Sequence, residues 1–177
     1  MRRVSLVGCP GSGKTTAGRQ LARSLDVPFI ELDAIFHQPG WRQLEREDFR
    51  ERVGEALAPE RWVVDGNYSA VQDLVWGRAD TVWWFDLARP LIIRRVIKRT
   101  LRRSLTREVL WNGNREPLTN LYRLHPERNI IRWAWAKHAD YTERYAAAMH
   151  CEANAHLRFV RLTTPSEVDA ALTHATG

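Results

Sequence analysis

Short apolar runs alternate along this chain with stretches in which apolar residues recur every three or four positions. Val4, Leu6 and Val7 form the first run. Pro28 to Asp33 (PFIELD), Trp62-Val63-Val64, Thr81 to Leu87 (TVWWFDL) and Leu157 to Leu162 (LRFVRL) follow. TVWWFDL is apolar almost throughout, as a strand covered on both faces should be. Between the runs, helical spacing appears in four places. These are Ala17, Leu21, Ala22 and Leu25; Asp48 to Leu57 with Phe49, Val53, Ala56 and Leu57; Pro90 to Leu101; and Glu127 to Glu152. Thr163-Thr164-Pro165 reads as a turn and Ser166 as the cap of a last helix carrying Val168, Ala171 and Leu172. Five strands with helices between them predict an α/β fold, a five-stranded parallel sheet with helices on both faces.

The first strand runs into Gly8-Cys9-Pro10-Gly11-Ser12-Gly13-Lys14-Thr15-Thr16. This fits G-x-x-x-x-G-K-[ST] at every fixed position, in the strand–loop–helix context that gives the motif its meaning. Glycines let the backbone fold around a phosphate with successive N–H groups inward, and the helix N-terminus adds positive partial charge. Lys14 supplies a mobile cation, and the Thr15 hydroxyl can ligate Mg²⁺. Of the 27 basic residues only Lys14, Lys98 and Lys137 are lysines, so a lysine at this position points to a requirement for lysine itself.

Two carboxylates end apolar runs. Asp33 can bind a substrate hydroxyl, hold Mg²⁺ through water, or cap the following segment. Asp65, followed by Gly66, is placed as a Walker-B-like Mg²⁺ partner requires; a simple strand-ending turn is the alternative. Both ends should lie at the carboxyl edge of the sheet, where open α/β folds bind ligands. Phe36, Trp41 and Tyr68 either line an acceptor pocket or form a small satellite core. His37 by itself reads as structural. Arg95 and Arg99 lie four apart on one helix face and can grip phosphates from the side opposite Lys14. Residues 104–126 lose periodicity at Asn112-Gly113-Asn114 and Pro117, and read as a mobile lid over one domain spanning 1–177. Residues 34–60 read as the acceptor-binding segment.

Composition narrows the class. The 44% apolar content fits a globular protein, and a net charge of +6 favours an anionic partner: nucleotide, nucleic acid or phosphorylated metabolite. No apolar run approaches the ~18 residues of a membrane span, and no signal peptide is read before the glycine loop. Two cysteines offer neither a disulfide framework nor a metal site, so a cytoplasmic location is expected.

From Val4 to about Leu172 the chain resembles P-loop kinases of the adenylate-kinase and shikimate-kinase type. The resemblance implies a three-layer P-loop NTPase fold, nucleoside monophosphate kinase-like with a lid. It implies ATP and Mg²⁺ as cofactors, with Gly8, Pro10, Gly11, Ser12, Gly13, Lys14, Thr15 and Thr16 around the phosphates. Thr163, Thr164 and Pro165 would cup adenine, Thr15 and Asp65 would hold the metal, and Lys14, Asp33, Arg95 and Arg99 would be catalytic. Asp86, followed by Arg95 and Arg99, looks like the family pattern that introduces the lid. LDAIFHQPGW, WVVDGNY and LWNGNRE are similar to a bacterial subgroup known as DNA topology modulation (FlaR-type) proteins. Asn67-Tyr68 stands where adenylate kinases have Pro-Arg, which argues against AMP as acceptor. The expectation is ATP-dependent phosphoryl transfer to a nucleotide, nucleoside or hydroxylated metabolite by a monomer or homodimer. A nucleic-acid-associated NTPase is the less favoured alternative, since the arginines already have an ATP-binding use.

Overall fold

A computed structural model describes residues 1–115 and 130–176. Among these residues, five strands form one parallel sheet in the order β2-β5-β1-β6-β7. They are β1 (Arg3–Gly8), β2 (Phe29–Glu31), β5 (Trp62–Asp65), β6 (Thr81–Phe85) and β7 (Arg158–Leu162). A separate antiparallel ribbon pairs β3 (His37–Gln38) with β4 (Arg42–Gln43) across a turn at Pro39–Trp41. The helices are α1 (Lys14–Leu25), α2 (Leu32–Phe36), α3 (Arg46–Ala56), α4 (Gln72–Arg78), α5 (Arg89–Thr106), α6 (Ile130–Met149) and α7 (Pro165–Thr176).

The sheet is buried on both faces, and alternate residues of each strand serve opposite layers. Val7, Trp62, Val64, Val82 and Trp84 face a core shared with α3, α4 and α6. Val4, Leu6, Val63, Trp83 and Phe85 face the other layer, against Ala17 and Leu21 of α1 and Leu172 of α7. A smaller cluster of Cys9, Leu87, Ile92 and Val96 fixes α5 against the loop after β1. The register aligns Leu6 with Asp65, Glu31 with Asp65, and Gly8 with Phe85. The carboxyl ends of β1, β2 and β5 therefore meet at one edge, which is where the site is built.

Several boundaries differ from the sequence expectation. Asp33 sits in the first turn of α2 rather than at a strand end, because Leu32-Asp33-Ala34-Ile35-Phe36 turns helical immediately after β2. The helix expected over Pro90–Leu101 continues to Thr106 and takes the first residues assigned to the lid. The buried pair Thr100 and Ser104 keeps its inner face in register, and Arg107 ends it in the left-handed conformation. The cap of α7 is Thr164, not Ser166. Its Oγ1 accepts the Glu167 N–H at 3.2 Å, and Glu167 Oε2 accepts the Thr163 N–H at 2.7 Å. Pro165 then takes the first helical position, where its missing N–H costs nothing. The ribbon β3–β4 and the short helix α4 were not expected. The helix expected over 127–152 is seen as Ile130–Met149, its first residues lying outside the described ones, as does the 116–126 part of the lid segment. The described part, 107–115, closes on itself through a Val109–Arg115 bridge and a turn with Asn112 and Gly113 at positive φ. Trp135 of α6 is 57% exposed, with Arg89 lying 5.3 Å from its ring centroid.

Phe49 of α3 is fully buried and packs against the rings of Phe36 and Tyr68 at 5.0 and 5.1 Å between centroids. It supports the segment that carries Asp33. Phe49→Ala should lower the unfolding free energy by about 3–5 kcal/mol, read by urea denaturation. A loss under about 1 kcal/mol would mean that this cluster does not support the fold.

Candidate active site

The loop Gly8–Thr15 sits between β1 and α1 with Gly8, Gly11 and Gly13 all at positive φ. Gly11 is fixed by packing as well: a Cβ there would lie 2.4 Å from Val96 Cγ2 of α5. No side chain caps α1, so its first-turn N–H groups remain available at the loop. The Lys14 side chain is buried and folds back over the loop, donating to Gly8 O at 2.7 Å and Cys9 O at 3.1 Å. Ser12 Oγ is buried with no hydrogen-bond partner among the described residues. Arg95 Nη1 donates to Ser12 O at 3.1 Å, bringing a second cation to the same loop. An uncapped helix start, an unpartnered buried hydroxyl and two cations fit an anionic group of phosphate type.

Thr15 Oγ1 donates to Asp65 Oδ2 at 2.5 Å. Burial pushes the Asp65 carboxyl up, opposed by the nearby Lys14 ammonium and the Thr15 hydrogen bond. Burial also pulls the Lys14 ammonium down, opposed first by Asp65. Each charge offsets part of the desolvation of the other. The pair of a hydroxyl and a carboxylate, both oxygen donors, suits a hard divalent cation such as Mg²⁺.

Asn67 clamps the loop from β5. Its Oδ1 accepts the Gly8 N–H at 3.0 Å and its Nδ2 donates to Gly8 O at 2.8 Å, while the Tyr145 hydroxyl of α6 donates to the same Oδ1 at 3.0 Å. In the sequence Asn67 stands out as a departure from Pro-Arg and as part of WVVDGNY, not as a partner of the loop. The contact joins residues 59 apart, and nothing local signals it.

On the side of the cleft formed by the segment after β2, Asp33 Oδ1 accepts the Tyr68 hydroxyl at 2.5 Å, and Asp33 makes no cap. Burial, then the charge of Asp33, raises the Tyr68 phenol far above its usual value, so it remains a donor. His37 Nε2 lies 3.5 Å from that hydroxyl, and burial lowers the His37 pKa. Trp41 and Trp111 flank His37 with ring centroids 5.3 and 6.1 Å away.

The segment after α5 is tied to this side. Trp111 Nε1 donates to Glu31 Oε2 at 2.9 Å, and Asn112 Nδ2 donates to Ala34 O and His37 O. Asn114 donates to Gln38 O and accepts the Trp41 N–H, and Trp41 Nε1 donates to Arg115 O. In the sequence Asn112-Gly113-Asn114 stands out as a break in periodicity and within LWNGNRE, and neither signal gives these contacts.

These parts line one cleft of about 1530 Å³. Pro10 to Thr16, Asp33, Asp65, Arg95 and Arg99 border it, with Lys98, Arg102 and Arg103 of α5 beside them. Gly8 does not border it, and its carbonyl accepts from Lys14. Of the expected adenine cup, Pro165 borders the cleft together with Val168 and Leu172, while Thr163 and Thr164 are engaged with Glu167. Asp86 is elsewhere, bound to Arg161 and Thr142. Among the described residues no group of three or more His, Cys, Asp or Glu is placed to hold a metal alone, and no helix is long and apolar enough to cross a membrane.

Fold and site together define a P-loop α/β protein with the architecture of the small-molecule kinases. A family model described as shikimate kinase matches residues 10–57. The shikimate kinase of Paracidovorax citrulli is 45% identical over 53 residues, 30% of this chain and 28% of that protein. That of Bacteroides thetaiotaomicron is 41% identical over 66 residues, 38% of that protein. The chain thus matches well under half the length of these relatives. Two solved structures share the fold throughout: the Bacteroides thetaiotaomicron shikimate kinase (TM-score 0.55, 17% identity, 98% of this chain and 95% of that one) and a gluconokinase from Sinorhizobium meliloti (TM-score 0.50, 18% identity, 99% and 93%).

Asn67→Ala strips the Gly8 N–H and the Tyr145 hydroxyl of their partner. It should lower stability by about 1–3 kcal/mol in chemical denaturation and weaken binding of an ATP analogue. An unchanged denaturation midpoint would contradict the clamp.

Proposed function

We propose that the chain is an ATP- and Mg²⁺-dependent kinase that transfers the γ-phosphoryl group to a hydroxyl of a small acceptor. The observation that carries this reading is the single cleft bordered by a phosphate-type loop, the Thr15–Asp65 pair and the Asp33 carboxylate. Phosphoryl transfer needs little covalent chemistry from the protein; positioning and charge neutralisation supply most of the acceleration. Lys14, released from the loop carbonyls by an arriving phosphate, would follow the β- and γ-oxygens, with Arg95 and Arg99 on the opposite side. Thr15 and Asp65 would hold Mg²⁺, whose bound charge offsets that of the phosphates. Asp33 would orient the acceptor hydroxyl and take its proton as the new O–P bond forms and the bond to the β-phosphate oxygen breaks, leaving ADP and a phosphorylated product. Tyr68 would fix the Asp33 rotamer. Pro165, Val168 and Leu172 would lie against adenine.

The relatives support this reading through their names, which are those of kinases acting on small hydroxylated compounds. The similarity of LDAIFHQPGW, WVVDGNY and LWNGNRE to FlaR-type proteins adds no substrate. A nucleic-acid-associated NTPase is less well supported, because Arg95, Lys98, Arg99, Arg102 and Arg103 border the cleft that holds the phosphate-type loop. Cytoplasmic location and a monomeric or homodimeric state belong to the same proposal.

The two carboxylates test it. Asp65→Asn should weaken Mg²⁺ use and depress all turnover, including slow hydrolysis of ATP by water. Asp33→Asn should largely spare that hydrolysis while reducing transfer to an acceptor by at least about a hundredfold, the scale of a lost general base. Equal loss of both activities in both variants would refute the division of roles.

A further inference from the structure

The short helix that carries Asp33 is closed at its carboxyl end by a side chain from the segment after α5. Resting on the kinase reading, we infer that Asn112 is a positioning residue for Asp33. Its amide caps α2 and thereby sets where the Asp33 carboxylate stands against the acceptor hydroxyl.

A helix leaves its last four carbonyls without partners inside it, and in a helix of five residues these are most of the carbonyls it has. The donors that α2 requires come from outside its own turn. The His37 N–H donates to Asp33 O. Gln38 Nε2 donates to Ile35 O at 2.9 Å, and the Leu44 N–H to Phe36 O at 3.0 Å. Asn112 Nδ2 donates to Ala34 O at 2.9 Å and to His37 O at 2.6 Å. Both of its partners are carbonyls, so the atom between them has to be the amide nitrogen, and its two hydrogens match two acceptors. The contacts span 78 and 75 positions of sequence.

The neighbours of Asn112 deliver the amide to this place. Asn112 and Gly113 have φ of 55° and 77°, a left-handed turn that asparagine and glycine tolerate. Asn114 is buried and holds the turn on the ribbon, donating to Gln38 O at 3.0 Å and accepting the Trp41 N–H at 2.9 Å. Trp111 reaches the amino end of α2, with Nε1 donating to Glu31 Oε2 at 2.9 Å, and its ring stacks on His37 at 6.1 Å between centroids. Consecutive side chains thus hold α2 at both ends. Tyr68 fixes one oxygen of Asp33, and the rest of the carboxylate follows the helix. Transfer to a hydroxyl depends steeply on that placement, since a shift of about 1 Å in a reacting group can cost about a hundredfold in rate.

The test uses two variants of the full chain. Asn112→Gly keeps the left-handed turn and removes the amide. Asn112→Asp keeps the shape of the side chain and sets a carboxylate oxygen against the two carbonyls. In both, amides of residues 32–37 should exchange hydrogen at least about tenfold faster, read by mass spectrometry, while β1 and β6 exchange as before. The Asp33 Cγ resonance of ¹³C-aspartate-labelled protein, assigned by its loss in Asp33→Asn, should move in both. Transfer from [γ-³²P]ATP to a mixture of shikimate, D-gluconate and nucleosides should fall at least about tenfold relative to hydrolysis by water. In the Asp33→Asn background neither substitution should lower that ratio further. Unchanged exchange over 32–37, faster exchange throughout the sheet, an unmoved Asp33 resonance, or a loss that adds in full to that of Asp33→Asn overturns the inference. The kinase reading fails separately, if the unaltered protein labels none of these compounds; exchange and the Asp33 resonance then still decide whether Asn112 sets Asp33.

Discussion

The structure depends on bringing a lysine and a carboxylate together where burial opposes the charge of both. Lys14 and Asp65 are both buried at the edge of the sheet, and burial pushes each toward its neutral form. Their mutual attraction, the Thr15 hydroxyl and the carbonyls of Gly8 and Cys9 oppose that push. A buried pair of this kind does little for stability in itself. It creates a site whose charges gain from the arrival of phosphate and of a divalent cation.

Much of the surrounding architecture serves that arrangement. The register of β1 with β5 sets Asp65 beside Leu6, two residues before the glycine loop. Asn67 closes the loop from one side by both hydrogen bonds of Gly8, and Val96 of α5 closes it from the other by leaving no room for a side chain at residue 11. The same helix brings Arg95 onto Ser12 and extends to the segment that carries Trp111, Asn112 and Asn114. Those three side chains grip Glu31 to Trp41, the stretch that presents Asp33 and His37. The phosphate end and the acceptor end are thereby linked through α5, so the segment after this helix and the acceptor-binding segment make one wall of the cleft.

The phosphate loop was legible because its chemistry is contiguous: strand, glycines, lysine and helix follow one another in the sequence. The two strands that flank β1 were legible because each is a nearly continuous apolar run, Trp62-Val63-Val64 and Thr81–Phe85. What was not legible depends on contacts distant in sequence. Asn67 acquires its role from Gly8, and Trp111 from Glu31, 80 positions away. Local misreadings had local causes. Five residues after β2 are too few for helical periodicity to appear, so Asp33 read as a strand end. Ser166 and Thr164 both satisfy a cap pattern, and the reach of Glu167 to Thr163 decides for Thr164. The charge of +6 was visible in the composition, but not that five α5 cations line the cleft.

The central claim is that this cleft joins ATP to a small acceptor. The most direct measurement follows the label from [γ-³²P]ATP with Mg²⁺ in the presence of a mixture of small hydroxylated compounds, with the Lys14→Ala variant as control. The account predicts label in an organic phosphate, formed only when acceptor is present. The Lys14→Ala variant, folded as judged by circular dichroism, should lose about 10²–10³-fold of that transfer, the scale of a missing preorganised charge. Label recovered only as inorganic phosphate whatever compounds are added, or equal transfer by the Lys14→Ala variant, would contradict it.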